Sequence, residues 1–349
     1  MKLAWWKILS IIIILYVIFV GLLVPLKQGI TAVTPSSLAA GSSVNLKIIG
    51  YNTKFNPSHK IRVWLKLDDD HALECNKVVV VNETELNALF SIPHDLPFDS
   101  KVKDFTLVVD NALDGTTVLP NAIYITKNDS IKGDYVNAKI ENLTKATEFT
   151  FPFRNILAET IRNTYFHVPL WFAMFALFFT ALINSVKFLR TNDLTYDFKA
   201  AGFTYIGLIF GFLGLITGAI WAKHTWGAYW SWDVKQNMAA ISVLIYLAYF
   251  VLKNSFEDRE KGARLSGVYN IFAFMAMIPL LFVIPRMTDS LHPGNGGNPA
   301  IGSQDLDNTM RMVFYPAIIG FILFGFWLAQ LKYRYEILNA KVIEDSNEG

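Results

Sequence analysis

Three short stretches carry residues that could bind a ligand as well as pack. The first, Trp226-Gly227-Ala228-Tyr229-Trp230-Ser231-Trp232-Asp233, sets four large aromatic rings and one carboxylate within eight residues. The others hold single histidines, His167 in Phe166-His167-Val168-Pro169 and His292 in Ser290-Leu291-His292-Pro293-Gly294-Asn295-Gly296-Gly297-Asn298. Indole N–H groups and a carboxylate need polar partners or water. Such a cluster therefore belongs at a membrane–water interface, where amphipathic rings are at ease. An aromatic belt needs only a ring or two at a helix end. A run of rings with Gly227 and Ala228 kept small makes a flat apolar platform instead, suited to a flat ligand. Two imidazoles flanking that platform suit a planar metal macrocycle, ligated from both faces or held by its edge. Haem answers the description, since its iron is commonly held by His and its rim favours Trp and Tyr. Its propionates call for cations, and Arg162, Arg286 and Arg311 stand near the two histidine stretches with bidentate geometry to offer. Asp233 reads as a fixing residue, accepting backbone N–H groups or an indole, or orienting a histidine ligand. The Gly-Asn-Gly-Gly-Asn run after His292 implies a tight or mobile loop. Without a βαβ context it is no phosphate-binding fingerprint.

The elements that must position these residues are mostly apolar. Of 349 residues 53% are hydrophobic and only 17% charged, a composition for a membrane rather than a soluble domain. Residues 8–26 form a first span, preceded by Lys2 and Lys7, which sets the N-terminus in the cytoplasm. The run is long for a signal-peptide core and reads as an uncleaved anchor, with 37–40 a weak processing site. Five further apolar segments lie at 166–186, 201–222, 237–252, 268–285 and 312–331. Six spans put Lys187, Arg190, Lys199, Lys253, Arg259, Lys261, Arg264, Lys332, Arg334 and Lys341 inside, and only Lys223, Lys235, Arg286 and Arg311 in the short outer loops. That asymmetry obeys the positive-inside rule at every loop. It gathers His167, the aromatic stretch and His292 on the outer side, with Pro169 expected in the first turn of the second span.

Residues 30–150 differ in character. Alternating or β-branched segments at 44–51, 60–67, 77–81, 86–92, 105–110 and 122–126, divided by turn-formers such as Asn56-Pro57 and Asp114-Gly115, read as a small β-sandwich. His59, His71 and His94 fall in its turns without metal-ligand spacing. Cys75 is the only cysteine, so the chain has neither an intrachain disulfide nor a C-x-x-C-H for covalent haem. The net charge of +2, without a basic cluster, gives no sign of nucleic-acid binding. The expected fold is a mostly α integral membrane protein of six transmembrane helices, with a small extracytoplasmic β-sandwich-like domain after the first. Its parts are an anchor at 1–29, the β-rich domain at 30–150, a five-helix membrane domain at 151–335 and a cytoplasmic tail at 336–349.

Trp226-Gly227-Ala228-Tyr229-Trp230-Ser231-Trp232-Asp233 resembles the tryptophan-rich WWD motif of haem-handling proteins in cytochrome c biogenesis. With Phe166-His167-Val168-Pro169, six spans and an outer histidine after the fifth, the chain resembles the CcmC branch of that family over about 150–335 and the first span. The resemblance implies haem b as cargo, bound by Trp226, Tyr229, Trp230, Trp232 and Asp233, with His167 and His292 as axial ligands of the iron. It implies a bacterial inner-membrane protein with both termini cytoplasmic and the haem site periplasmic. The partners it implies are a periplasmic haem chaperone, an ABC transporter and a small membrane subunit. Handover of haem, rather than catalysis, is the activity implied. The β-rich insertion has no counterpart in that pattern. Trp230-Ser231-Trp232-Asp233-Val234-Lys235 also leans towards the cytochrome c synthase (CcsA-like) branch, whose members attach haem to apocytochrome. Those proteins carry further histidines within spans, and here no span has a histidine at its middle. The apolar interior of spans three to six likewise argues against a solute transporter.

Overall fold

The computed structural model describes residues 4–127, 137–146, 148–155, 157–292 and 306–348. They divide into two compact units, one comprising Pro25–Ala158 and the other Met1–Val24 with Glu159–Gly349.

The Pro25–Ala158 unit is built from β1 (Gly29–Thr34), β2 (Ser37–Ala39), β3 (Ser43–Tyr51), β4 (Ile61–Lys66), β5 (Ala72–Glu74), β6 (Lys77–Asn82), β7 (Glu85–Ser91), β8 (Val102–Asn111) and β9 (Gly115–Thr126). One sheet has the order β1-β3-β7-β6 and the other β2-β9-β8-β4-β5. Among these strands every pairing is antiparallel except β2 with β9. Period-two alternation aims Leu46 and Ile48 of β3, Leu86 and Phe90 of β7, Val63 and Leu65 of β4 and Phe105 and Leu107 of β8 into one core shared by both sheets. The strands β1, β2 and β5 escape the sequence reading: three residues are too few to alternate in β2 and β5, and β1 follows closely on the first apolar run. Arg62 and Asp110 tie the later segment to this frame. Arg62 donates to Asp110 Oδ2 at 2.7 Å and to the carbonyls of Glu141 and Asn142, while Asp110 also accepts from the Thr144 N–H. The ends of the unit leave side by side: Lys27 N–H donates to the Phe151 carbonyl, and Phe151 N–H to that of Pro25.

The second unit is helical: α1 (Trp5–Leu23), α2 (Thr164–Thr191), α3 (Leu194–Trp226), α4 (Val234–Lys253), α5 (Arg259–Ile278), α6 (Ile284–Met287) and α7 (Asn308–Glu348). It holds six helices or helical runs long and apolar enough to cross a membrane. Local signals mark their ends. Asn192, in the left-handed region at φ 58°, stops α2, and the Asp193 side chain caps α3 by accepting the Thr195 N–H. Gly227, at φ 84°, ends α3, where a side chain would be strained. Asp258 caps α5. A 3-10 turn, Ala158–Asn163, leads into α2, so the helix starts before the apolar run does. Pro169 consequently lies in the second turn rather than the first, where its missing N–H deprives only the Tyr165 carbonyl of a helical partner.

The hairpin of α2 and α3 positions the site. Gly207, Gly211, Gly214 and Gly218 form a four–three–four stripe on α3. A Cβ built on Gly207 would meet Phe178, on Gly211 Met174, on Gly214 Trp171 and on Gly218 His167. Each large α2 side chain thus seats over one glycine in strict antiparallel register, the close approach that small residues permit within apolar bundles. Deeper in the bundle the fully buried Asn270 of α5 donates to Ser185 Oγ of α2 at 3.0 Å and Thr204 Oγ1 of α3 at 3.4 Å. Pro279 ends α5, and the following five residues, Pro279–Val283, wind as a π-helix.

Candidate functional site

Where α2 begins, α3 ends and α4 begins, a cavity of about 370 Å³ opens in the helical unit. Its size falls in the ordinary ligand-site range of about 300–1,000 Å³. His167, Trp171 and Phe175 of α2, Gly214 and Gly218 of α3, Trp230, Lys235 and Gln236, Leu281 and Phe282 of the π turn, and His292 all line it.

The aromatic segment is held by the first turn of α4. Gln236 Oε1 accepts the Ser231 N–H and hydroxyl, each at 3.0 Å, and Asn237 Nδ2 donates to the Trp232 carbonyl at 2.8 Å. Asp233 is the N-cap of α4 through Lys235 N–H at 2.9 Å. The same carboxylate accepts the Leu291 N–H at 2.7 Å, the Ser290 hydroxyl at 3.1 Å and His292 Nδ1 at 2.8 Å. Burial opposes its charge, but the Leu291 N–H, His292, the Ser290 hydroxyl and the Lys235 N–H together hold its pKa below the usual carboxylate value. Burial also lowers the pKa of His292, against the pull of Asp233. Near neutral pH the pair is therefore a carboxylate and a neutral imidazole, with Nδ1–H donating and the Nε2 lone pair left over. Trp226 packs against this ring at 4.7 Å between centroids and 70°.

His167 is arranged similarly with a weaker partner. Thr217 Oγ1, whose proton has the carbonyls of Leu213, at 2.8 Å, and Gly214, at 3.1 Å, as acceptors, lies 3.0 Å from His167 Nδ1. The other nitrogen, Nε2, accepts the Trp171 indole N–H at 3.3 Å. Trp221 closes the ring's flank at 5.8 Å, its own N–H bonded to Thr160.

This donor set fits haem. No group of three or more His, Cys, Asp or Glu stands ready for a bare metal ion among the described residues. A macrocycle that brings its own equatorial nitrogens needs only axial ligands, and each of two imidazoles on the cavity wall directs its Nδ1 to a protein acceptor.

A family profile described as CcmC, heme exporter protein C, matches residues 146–347, which holds the whole cavity lining. The chain belongs to the CcmC family. It is similar to heme exporter protein C of Haemophilus influenzae, 28% identical over 184 residues, which is 51% of this chain and 72% of that protein. Heme exporter protein C of Escherichia coli is 26% identical over 177 residues, 51% of this chain and 70% of the other. The Paracoccus denitrificans protein of the same name is 26% identical over 178 residues, 51% and 73% of the two chains. As a CcmC-family member the protein works in haem transport for cytochrome c biogenesis. The matched residues do not include the β-rich Pro25–Ala158 unit, save at its end.

The structure brings His167, Trp230 and His292 to the cavity, with Asp233 and Trp226 directly behind His292. Tyr229 and Trp232 are instead 61% and 78% exposed and do not line it, and Trp232 sits at a left-handed φ of 57°. Arg162 pairs with Glu159 and donates to the carbonyls of Gly21 and Val24, away from the cavity. Arg311 donates to Asn308, and its buried Nε finds no hydrogen-bond partner among the described residues. Arg286 is exposed near Lys235, whose charge it opposes. His224 is exposed. The glycine-rich run after His292 lies outside the described residues. Trp171, Thr217, Lys235 and Gln236 were not singled out from the sequence. For Trp171 and Thr217 the available signal was the glycine stripe, which marks the α3 face that α2 covers.

Proposed function

We propose that this protein holds haem b at the outer face of the bacterial inner membrane, between His167 and His292, and hands it to a periplasmic haem chaperone. One observation carries the reading: two imidazoles with Nδ1 anchored on protein acceptors line one aromatic cavity that the family match covers in full. In this reading the Nε2 atoms of His167 and His292 take the axial positions. Trp230 and Phe282 pack the macrocycle, and Lys235 with Arg286 face its propionates. The supply and release of haem would involve an ABC transporter and a small membrane subunit, with Tyr229 and Trp232 exposed for partner contact. The excess of Lys and Arg in the loops away from the site supports cytoplasmic termini.

Axial imidazoles are exchangeable, which suits a protein that must load and then release its cargo. The test is the absorption spectrum of detergent-purified protein supplied with haem, beside His167→Ala, His292→Ala and a Trp230→Ala/Trp232→Ala variant. A Soret band that shifts or weakens in the variants is expected. Failure of the wild type to take up haem would overturn the reading. The alternative, a CcsA-like synthase, requires thioether formation with apocytochrome in the presence of this protein alone, and handover predicts none.

A further inference from the structure

His167 meets the cavity with its lone pair already engaged. The Thr217 hydroxyl has carbonyl acceptors at Leu213 and Gly214, so its oxygen can accept from His167 Nδ1, and the Trp171 indole, a donor only, requires the lone pair on Nε2. That places the ring proton on Nδ1 and leaves Nε2 as the sole acceptor, and Trp171 Nε1–H donates to it at 3.3 Å. An imidazole nitrogen has one lone pair in the ring plane, so it cannot serve an indole and a metal together. The donor is not placed by accident. Trp171 is one turn along α2 from His167, and the two are seated over Gly214 and Gly218, one turn apart on α3. The same indole lines the cavity, in the path of an entering ligand. His292 is different: its Nδ1 rests on the charged Asp233, a stronger acceptor than a hydroxyl, and Trp226 meets its ring edge-on.

We propose that Trp171 is a displaceable stand-in for the metal, occupying the His167 lone pair until haem arrives and recapturing it when haem leaves. This rests on the haem reading above and deepens it. Trp171 keeps His167 aimed into the cavity in the correct tautomer, and it competes with iron for the same electrons. His167 is then the exchangeable ligand and His292 the retained one. The part of Trp171's effect on haem that runs through the His167 lone pair must vanish when His167 is absent.

The experiment is haemin titration of the full-length protein in detergent, read at the Soret band, for wild type, Trp171→Phe, His167→Ala and the double variant. Trp171→Phe keeps an aromatic ring but removes the donor together with part of the ring's bulk, and the bulk is lost equally in the His167→Ala background; a hydrogen bond of ordinary net strength corresponds to about a fivefold to tenfold change in Kd. The expected result is that Trp171→Phe tightens haemin binding about five to ten times more in the wild-type background than in the His167→Ala background. Thr217→Val should act in the opposite direction, because it releases the tautomer and lets Nε2 carry the proton. A Trp171→Phe change that acts equally in the wild-type and His167→Ala backgrounds, while His167→Ala itself weakens binding, would overturn the proposal and leave the haem site standing. Wild type that binds no haemin, or binding indifferent to His167→Ala, would instead remove the haem reading itself. Ultraviolet resonance Raman of the wild type gives a check free of substitution. Haemin binding should shift one indole N–H marker towards its weakly bonded position, and an unmoved marker would overturn the displacement.

Discussion

Asp233 is the residue on which the most geometry converges. It caps α4, accepts the Leu291 N–H and anchors His292 Nδ1, so one side chain fixes both the aromatic segment and the histidine across from it. Asp233→Asn keeps the shape but loses the charge and one acceptor, allowing the His292 ring to rotate or change tautomer. Loss of such a carboxylate behind a histidine ligand typically weakens metal binding about 10–100-fold. Haemin titration should show that loss with the secondary structure intact, and a Kd within about twofold of wild type would refute the role. His167, His292 and Asp233 were legible in the sequence because their residue types are rare at membrane boundaries and stand beside a recognisable aromatic run. Lys235 and Gln236 were not, since a helix's first turn reveals its inward face only once its partners are known. Arg162 is not among the residues brought to the cavity, for the opposite reason. A cation near a histidine in sequence is free to turn elsewhere, and here it turns to Glu159 and the carbonyls at the end of α1.

Among the elements, the α2–α3 hairpin makes a demand that can be divided experimentally. A Cβ at Gly207 would come within 2.5 Å of Phe178 Cε1, and one at Gly218 within 2.7 Å of His167 Cε1. Gly207→Val should therefore lower the melting temperature, in line with about 1–3 kcal/mol for overpacking, while haemin affinity per folded molecule stays unchanged. Gly218→Ala should displace His167 and weaken haemin binding more than it lowers the melting temperature. Equal thermal losses with unaltered affinity in both would break the assignment. In the β-rich unit, Asp110 offers a pH test. Burial opposes its charge, but Arg62, the Thr144 N–H and the Thr116 hydroxyl hold its pKa below the ordinary carboxylate value. A depressed pKa contributes stability that is present above the unfolded value, about 3.9, and is lost as pH falls through the folded one. Amide protection factors in β4 and β8 of the full-length protein, corrected for intrinsic exchange at each pH, should fall across that acidic window, and Asp110→Asn should remove the dependence. The helices were legible from their apolar runs. Their true starts were not, because the 3-10 entry to α2 carries no hydropathy signal, and the glycine stripe shows its purpose only against α2.

For the whole molecule, the division into two units sets the expectation for the insertion. Every residue lining the cavity belongs to the helical unit. The ends of the β-rich unit leave together through the pairing of Lys27 with Phe151, so excising it leaves a short gap to bridge. Replacing residues 26–157 by a short Gly-Ser linker should leave haemin affinity within about twofold of wild type. A lost Soret band in a folded variant would show that the insertion contributes to the site. The β-sandwich character of this region was legible from alternation, whereas nothing in its residues specified a task.

The glycine stripe also acts as a ruler. Sliding α3 by one turn against α2 would return Gly218 and Gly211 beneath Trp171 and Phe178, but it would drive Leu215 under Met174. The next register that seats all of the large side chains over small ones is not one turn away, so the hairpin has no neighbouring notch to click into. The height of His167 in the bundle is thereby quantised, and under the haem-binding function proposed above its bond to iron would change only by torsion of side chains. Cargo exchange at this site should then follow the clock of buried ring rotations, not that of helices in translation.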